Sequence, residues 1–343
     1  ITSQMESMGK KVRWVHEVAR PHPTLYFDEA CLLLEEYNDF LLKYPNAKKI
    51  LDKVKIKRGN TISIDLLEVE WKYFDQIGSD TYEALKTYNV WNFSLEKYME
   101  IALEKWEFFV DYVKQEPGVT FILDSSIFQF QIYTFLAKNA PIHLLKDFII
   151  KLFTLVSSLH PSLIYLFREN VENSISYIER KRGVHFLEEI WKRDCHQPYY
   201  QDKPKGADGY REFLRDYHKI ARELYYLVPF KKLAVDITME DWHRCNSEIK
   251  GFLSIEEEKM SFQPNYYYGL YTNEELDLYL EVRGDHIIDP AGSTKKIYPR
   301  SVNEFYIEDL PIILHFNSDE RLTILGDQLI ARWTTYGLEY RKL

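Results

Sequence analysis

Hydrophobic positions along the chain fall into two regimes. In the first, short apolar runs have the length and composition of strands: Val12–Val18 (VRWVHEV), Val119–Leu123 (VTFIL), Leu163–Phe167 (LIYLF) and KKLAVDIT around Leu233–Asp236. VTFIL and LIYLF are continuously apolar, as suits strands covered on both faces of a parallel sheet. Between the runs lie helical patterns. Leu144, Leu145, Phe148, Ile149, Leu152, Phe153 and Val156 recur with amphipathic spacing. A second pattern covers Leu95–Val113 and stops at Glu116-Pro117-Gly118. Strands alternating with helices predict an α/β domain with a doubly wound parallel sheet and helices on both faces, over residues 1–254.

From about Tyr267 the regime changes to short strands separated by turn signals. Arg283-Gly284-Asp285, Asp289-Pro290-Ala291-Gly292 and Asn317-Ser318-Asp319 read as hairpin turns. This predicts a small antiparallel β barrel or sandwich over 265–343, joined by a charged, Pro-ended linker at 255–264.

Composition narrows the setting. With 45% hydrophobic and 28% charged residues in 343, the chain has a globular balance. No run approaches the roughly 20 apolar residues of a membrane span, and ITSQMESMGKKVRW lacks the apolar core of a secretory signal. Three scattered cysteines without a CxxC pair argue against a disulfide framework or zinc site and for a reducing, cytoplasmic setting. A net charge of -9 with scattered Lys and Arg shows no nucleic-acid footprint.

Val119–Gly183 holds the candidate chemistry. A strand ends in Asp124-Ser125-Ser126, and the aromatic segment Ile127-Phe128-Gln129-Phe130 follows. His160-Pro161-Ser162 introduces the strand LIYLF, and the next helix ends in Glu179-Arg180-Lys181-Arg182-Gly183. In order and spacing these segments resemble the P-loop nucleotide and small-molecule kinases of thymidylate kinase type, over roughly residues 1–253. KKVRWVHEVARPHP matches their second strand, and KKLAVDIT resembles their last.

The resemblance implies an ATP- and Mg²⁺-dependent phosphotransferase acting on a nucleotide or other small molecule. Arg180 and Arg182 would be lid residues supplying charge to the transferring phosphate. Asp124, at a strand's carboxyl end, would hold Mg²⁺ through water or orient the acceptor. Glu17, Arg20, Ser125, Ser126, Phe128 and Gln129 would line the acceptor pocket. Each has a plainer reading. The arginines suit a solvated helix end, Asp124-Ser125-Ser126 an N-cap, and Glu17 with Arg20 a surface pair. One of Phe128 and Phe130 belongs to the core. No role attaches to His16, His22, His160 or His185, which lack metal spacing.

The chain also departs from the family. G-x-x-x-x-G-K-[ST] is absent from the sequence. Ile1–Glu6 reads like the helix after that loop, so the first strand and loop are expected just upstream of Ile1. Loss of the loop, leaving a non-catalytic nucleotide- or ligand-binding protein, is the alternative. A sheet lacking its central first strand would leave neighbouring strands unpaired. Ser125 stands where the family's Asp-Arg-Ser-type motif has its cation, so the acceptor need not be a nucleoside monophosphate. The β domain could instead carry an interaction function or a homodimer surface. Within it, Tyr271, Tyr279, Trp333 and Tyr336 fit either a barrel mouth or a packed core.

Overall fold

Alternation of β-branched and polar residues, interrupted by helical periods, yields a mixed α/β chain in the computed structural model. It describes residues 1–17, 19–125, 127–255, 267–308, 310–326 and 332–343. Ser126 and, apart from Ile255, the expected linker 255–264 lie outside the described residues.

In chain order the first elements are α1 (Thr2–Ser7), β1 (Lys11–Val15), β2 (Glu29–Leu33), α2 (Leu34–Lys43), α3 (Lys48–Val54), β3 (Ile56–Arg58), β4 (Thr61–Asp65), α4 (Leu66–Ile77) and α5 (Ser79–Lys86). There follow α6 (Leu95–Lys114), β5 (Val119–Leu123), α7 (Gln129–Ala137), α8 (Ile142–Val156), β6 (Ser162–Phe167), α9 (Val171–Arg182), α10 (Phe186–Asp194), α11 (Ala207–Leu227), β7 (Lys231–Asp236) and α12 (Trp242–Leu253). The strands after these are β8 (Gly269–Asn273), β9 (Leu278–Arg283), β10 (His286–Ile288), β11 (Thr294–Pro299), β12 (Glu304–Ile307), β13 (Leu310–Phe316), β14 (Arg321–Leu325) and β15 (Glu339–Lys342).

The chain divides into two compact units. One comprises Ile1–Asn92, Gly118–Asp124 and Glu257–Leu343, the other Phe93–Pro117 and Ser125–Glu256.

The first unit contains an antiparallel sheet in the order β2-β4-β3, which the sequence pattern did not predict. Its signal is short. Thr61-Ile62-Ser63-Ile64-Asp65 alternates, and Gly59-Asn60 turns β3 into β4. One face presents Ala30, Leu32, Ile62 and Ile64 to a core that includes Tyr37, Phe40, Leu51, Val69 and Leu85. The register puts Glu29, Arg58, Thr61, Ser63 and Asp65 on the opposite face. There Arg58 pairs with Glu29 at 3.2 Å and donates to the Ser63 hydroxyl. Asp65 caps α4 by accepting from the Glu68 amide.

The same unit holds the parallel pair β1–β5, in register from Lys11↔Val119 to Val15↔Leu123. It also holds a closed antiparallel barrel, β10-β11-β12-β13-β14-β15-β8-β9. The expected hairpin turns join β9 to β10, β10 to β11 and β13 to β14. Gly284 in the first of them has φ +63°, a conformation that costs glycine little. Alternate strand residues, among them Tyr271, Phe305, Ile312, Leu314, Phe316, Leu322 and Tyr340, form the barrel core together with Trp333 from the turn between β14 and β15. Tyr271 and Trp333 are thus core, whereas Tyr279 and Tyr336 are exposed. These four aromatics do not line a common mouth.

In the second unit β6 and β7 run parallel, from Ser162↔Lys231 to Phe167↔Asp236. The predicted apolar face of α8 is buried through Leu145, Phe148, Ile149, Leu152, Phe153 and Val156. Ser94 caps α6, which buries Tyr98, Ile101, Trp106, Phe109 and Val110 before the chain breaks at Pro117-Gly118. The parallel pairing expected for one wide sheet is found as two pairs, each two strands wide. Side chains of β5 and β6 are correspondingly half-buried rather than covered on both faces. Among the described residues no helix is long and apolar enough to cross a membrane.

Candidate functional site

In open parallel sheets, ligands gather at the carboxyl ends of the strands, where backbone groups run out and loops begin. β1 and β5 end side by side. The Asp124 amide donates to the Val15 carbonyl at 2.9 Å, carrying the ladder one step past β5. Asp124 therefore sits at the strand end with its carboxylate partly exposed, 3.9 Å from Nε2 of His16. Glu17 follows in the turn after β1, and Ser125 follows Asp124 in the left-handed region at φ +54°.

His16 is buried, its ring edge-on to Trp14, which in turn stands edge-on to Tyr306. These residues, with Glu6, Arg13 and Arg300, line a cavity of about 160 Å³. Arg300 binds Glu6 through two hydrogen bonds, at 2.9 and 2.8 Å, and pairs with Glu304 at 3.4 Å. The Glu6 hydrogen bonds hold the guanidinium well above its ordinary range. Burial pushes the Tyr306 phenol up to about 12.

Arg20 is committed elsewhere in this unit. Its guanidinium lies 2.7 Å from Asp65 and 3.7 Å from Asp28, so it anchors the loop after β1 to the end of β4. His22 Nδ1 accepts from the amides of Thr24 and Leu25 and tightens the same loop.

In the second unit, Phe128 precedes α7 and is buried against Phe153 and Tyr165, so it is the core member of the aromatic pair. Gln129 is the first residue of α7 and is half-buried. Arg180 and Arg182 occupy the last turn of α9, which Gly183 terminates at φ +92°. Basic residues there complement the helix dipole.

The orientation of α9 follows from its acidic residues. Glu172 binds Arg215 at 2.7 Å, and Glu179 binds Arg211 two turns further on. Both arginines lie on α11, one turn apart. Arg180 then reaches Glu240 at 3.2 Å, and the Arg182 guanidinium lies 5.7 Å from the Phe186 ring centre.

Sequence reasoning missed two residues. His16 carried no role, yet it is the side chain beside Asp124. Arg168 follows LIYLF directly and is almost fully buried against the loop after β7. Its position one step past a strand end was the available signal.

Among the described residues no cluster of three or more His, Cys, Asp or Glu side chains could hold a metal. Mg²⁺ in phosphoryl transfer commonly takes one or two carboxylates plus phosphate and water. Asp124 fits that sparse role but supplies only one such ligand. Comparison with known proteins gives no closer guide: no family model, no curated protein and no solved structure matches this chain.

Proposed function

We propose that this chain belongs to an ATP-dependent phosphotransferase of P-loop kinase type acting on a nucleotide or other small molecule. The observation that carries the reading is the end of the β1–β5 pair, where the Asp124 carboxylate stands beside His16. In this reading the parallel β1–β5 pair is part of a doubly wound sheet. Enzymes of this type cradle the phosphates in a loop of the form G-x-x-x-x-G-K-[ST].

Bound Mg²⁺ would neutralise developing charge on the phosphates. Asp124 would hold it through water or accept a hydrogen bond from the acceptor, while His16 and Glu17 position that carboxylate and acceptor. Arg180 and Arg182, at the end of an α9 held to α11 by the Glu172–Arg215 and Glu179–Arg211 pairs, would supply positive charge to the phosphates.

Transfer of the terminal phosphate of ATP to a panel of nucleosides, nucleotides and small alcohols, measured with the naturally expressed protein, tests the reading. Asp124→Asn should lower turnover on the order of 10²-fold or more with an unchanged melting temperature. Wild-type turnover in that variant, or no ATP binding by the natural protein, would overturn it. The absent loop motif favours a second reading, a ligand-binding protein without turnover, which predicts ATP or acceptor binding but no transfer.

A further inference from the structure

We infer that Arg168 and Arg180 form a site for a phosphate-type oxyanion, and that Glu240 is its built-in occupant. β6 ends at Phe167, and the Arg168 side chain next to it is 7% exposed. Its Nη1 donates to the carbonyls of Ile237 and Thr238, both at 3.2 Å. That anchoring leaves Nη2 directed at Oε1 of Glu240, 3.3 Å away. Arg180 approaches the same oxygen from α9 at 3.2 Å. Two guanidinium groups from different elements therefore converge on one carboxylate oxygen.

The surroundings carry excess positive charge. The ring of Tyr177 has Arg168, Arg180 and Lys181 at 4.6, 5.4 and 5.9 Å from its centre. Opposing them are Glu240 and Asp236. The Asp236 carboxylate is already used by the amide and hydroxyl of Thr238. Without Glu240, Arg168 and Arg180 lose the one carboxylate oxygen on which both converge. The place is the carboxyl end of the β6–β7 pair, a position where parallel strands receive ligands.

A phosphate group supplies the same acceptor geometry with more charge and more oxygens. Guanidinium forks match it closely. The buried Arg168 is already fixed, so little ordering is lost when an anion arrives. Glu240 is partly exposed on the short segment between β7 and α12 and can be displaced without breaking either element. The consequence is a gate: Arg180 is released from Glu240 only when a stronger anion takes its place. The inference shares Arg180 with the proposed function but concerns binding alone, so a test without turnover keeps their failures separate.

Glu240→Gln keeps the shape and removes the charge. Inorganic phosphate and ADP are titrated separately into the full chain at low ionic strength by calorimetry, in the wild type, Glu240→Gln, and Glu240→Gln with Arg180→Ala. Expected is at least a tenfold tighter Kd in Glu240→Gln, returning to the wild-type value or weaker when Arg180 is also removed. A gain for both titrants assigns the site to phosphate groups carried on nucleotides as well as free. A gain for phosphate alone assigns it to the free anion, and a gain for ADP alone to the nucleotide-borne group. No gain for either titrant, or a gain that survives Arg180→Ala, would overturn the inference. Both substituted side chains, Glu240 and Arg180, are surface-accessible, and coincident thermal melts establish that the variants are folded.

Discussion

Replacing Arg58 by Met should be among the most damaging single changes in the β2-β4-β3 sheet. The Arg58 and Glu29 side chains are 4% and 7% exposed and meet at 3.2 Å across the central strand. Arg58 also donates to the Ser63 hydroxyl on β4. Removing the cation takes the counter-charge from a buried carboxylate and deprives a buried hydroxyl of its donor. Breaking such a pair from one side costs about 3–5 kcal/mol. For a unit of this size each kcal/mol moves the melting temperature by about 2–4 °C, so a fall of roughly 6–20 °C is expected. Replacing both partners, Arg58→Met with Glu29→Leu, leaves no stranded charge. It should recover most of the loss, since a buried pair roughly breaks even against an apolar one. Scanning calorimetry on both variants, with amide exchange at Ile62 and Ile64 to localise the effect, provides the test. A loss below about 1 kcal/mol in the single variant would refute the reasoning. So would a double variant as unstable as the single one.

Three further expectations follow from other parts of the molecule. Asp194 is buried and accepts from the Tyr133 hydroxyl and the Arg193 guanidinium, so Asp194→Asn should cost about 1.5–3 kcal/mol in chemical denaturation. Burial pushes the phenols of Tyr98 and Tyr210 up to about 12. Their stabilising contribution is whole below the ordinary phenol pKa of about 10 and fades as pH rises from there through the raised values. Melting temperatures should therefore fall progressively above about pH 10, and phenolate absorbance in the folded protein should lag behind that of free tyrosine. At Gly209 an added Cβ would lie 2.2 Å from the Pro204 carbonyl and 3.1 Å from the Trp191 ring. Gly209→Ala should lower stability by about 1–3 kcal/mol, and an unchanged melting curve would contradict that packing.

Much of the strand pattern was legible because apolar runs and turn residues act locally. Val119–Leu123 appears as a strand over the same residues, and the hairpin turns of the barrel fall where Gly, Pro and Asn mark them. The β2-β4-β3 sheet was not legible. Its strands are three to five residues long, and Thr61, Ser63, Glu29 and Arg58 look solvent-facing. They are buried because they satisfy one another, and the pairing of Arg58 with Glu29, 29 residues apart, is one that no local pattern encodes. The partners of Arg20 were hidden for the same reason. A cation after a strand suggested an acceptor pocket, while its partner Asp65 lies 45 residues away. At the candidate site Asp124 was visible from its place at a strand end, but His16 was not, because only the parallel register of β1 and β5 brings the two together. The width of the parallel sheet was overread, since continuous apolar strands announce neighbours without saying which residues supply them.

The barrel closes by pairing β15 with β8, Lys342 opposite Tyr271, and the Leu343 amide reaches the Leu270 carbonyl. That arrangement orders events in time. As the chain emerges during synthesis, hairpins within β8–β14 can form one after another, but the first strand must wait for the last before its open edge is satisfied. Until then the nascent sheet displays two templates for pairing with other chains. Seam closure spans the whole barrel segment and pays its loop entropy before any reward, so it should be slow beside the local helices of the second unit. The helical unit is thus expected to be folded while the barrel is still a curved sheet, and the interval before the seam shuts is when the molecule is most prone to aggregate.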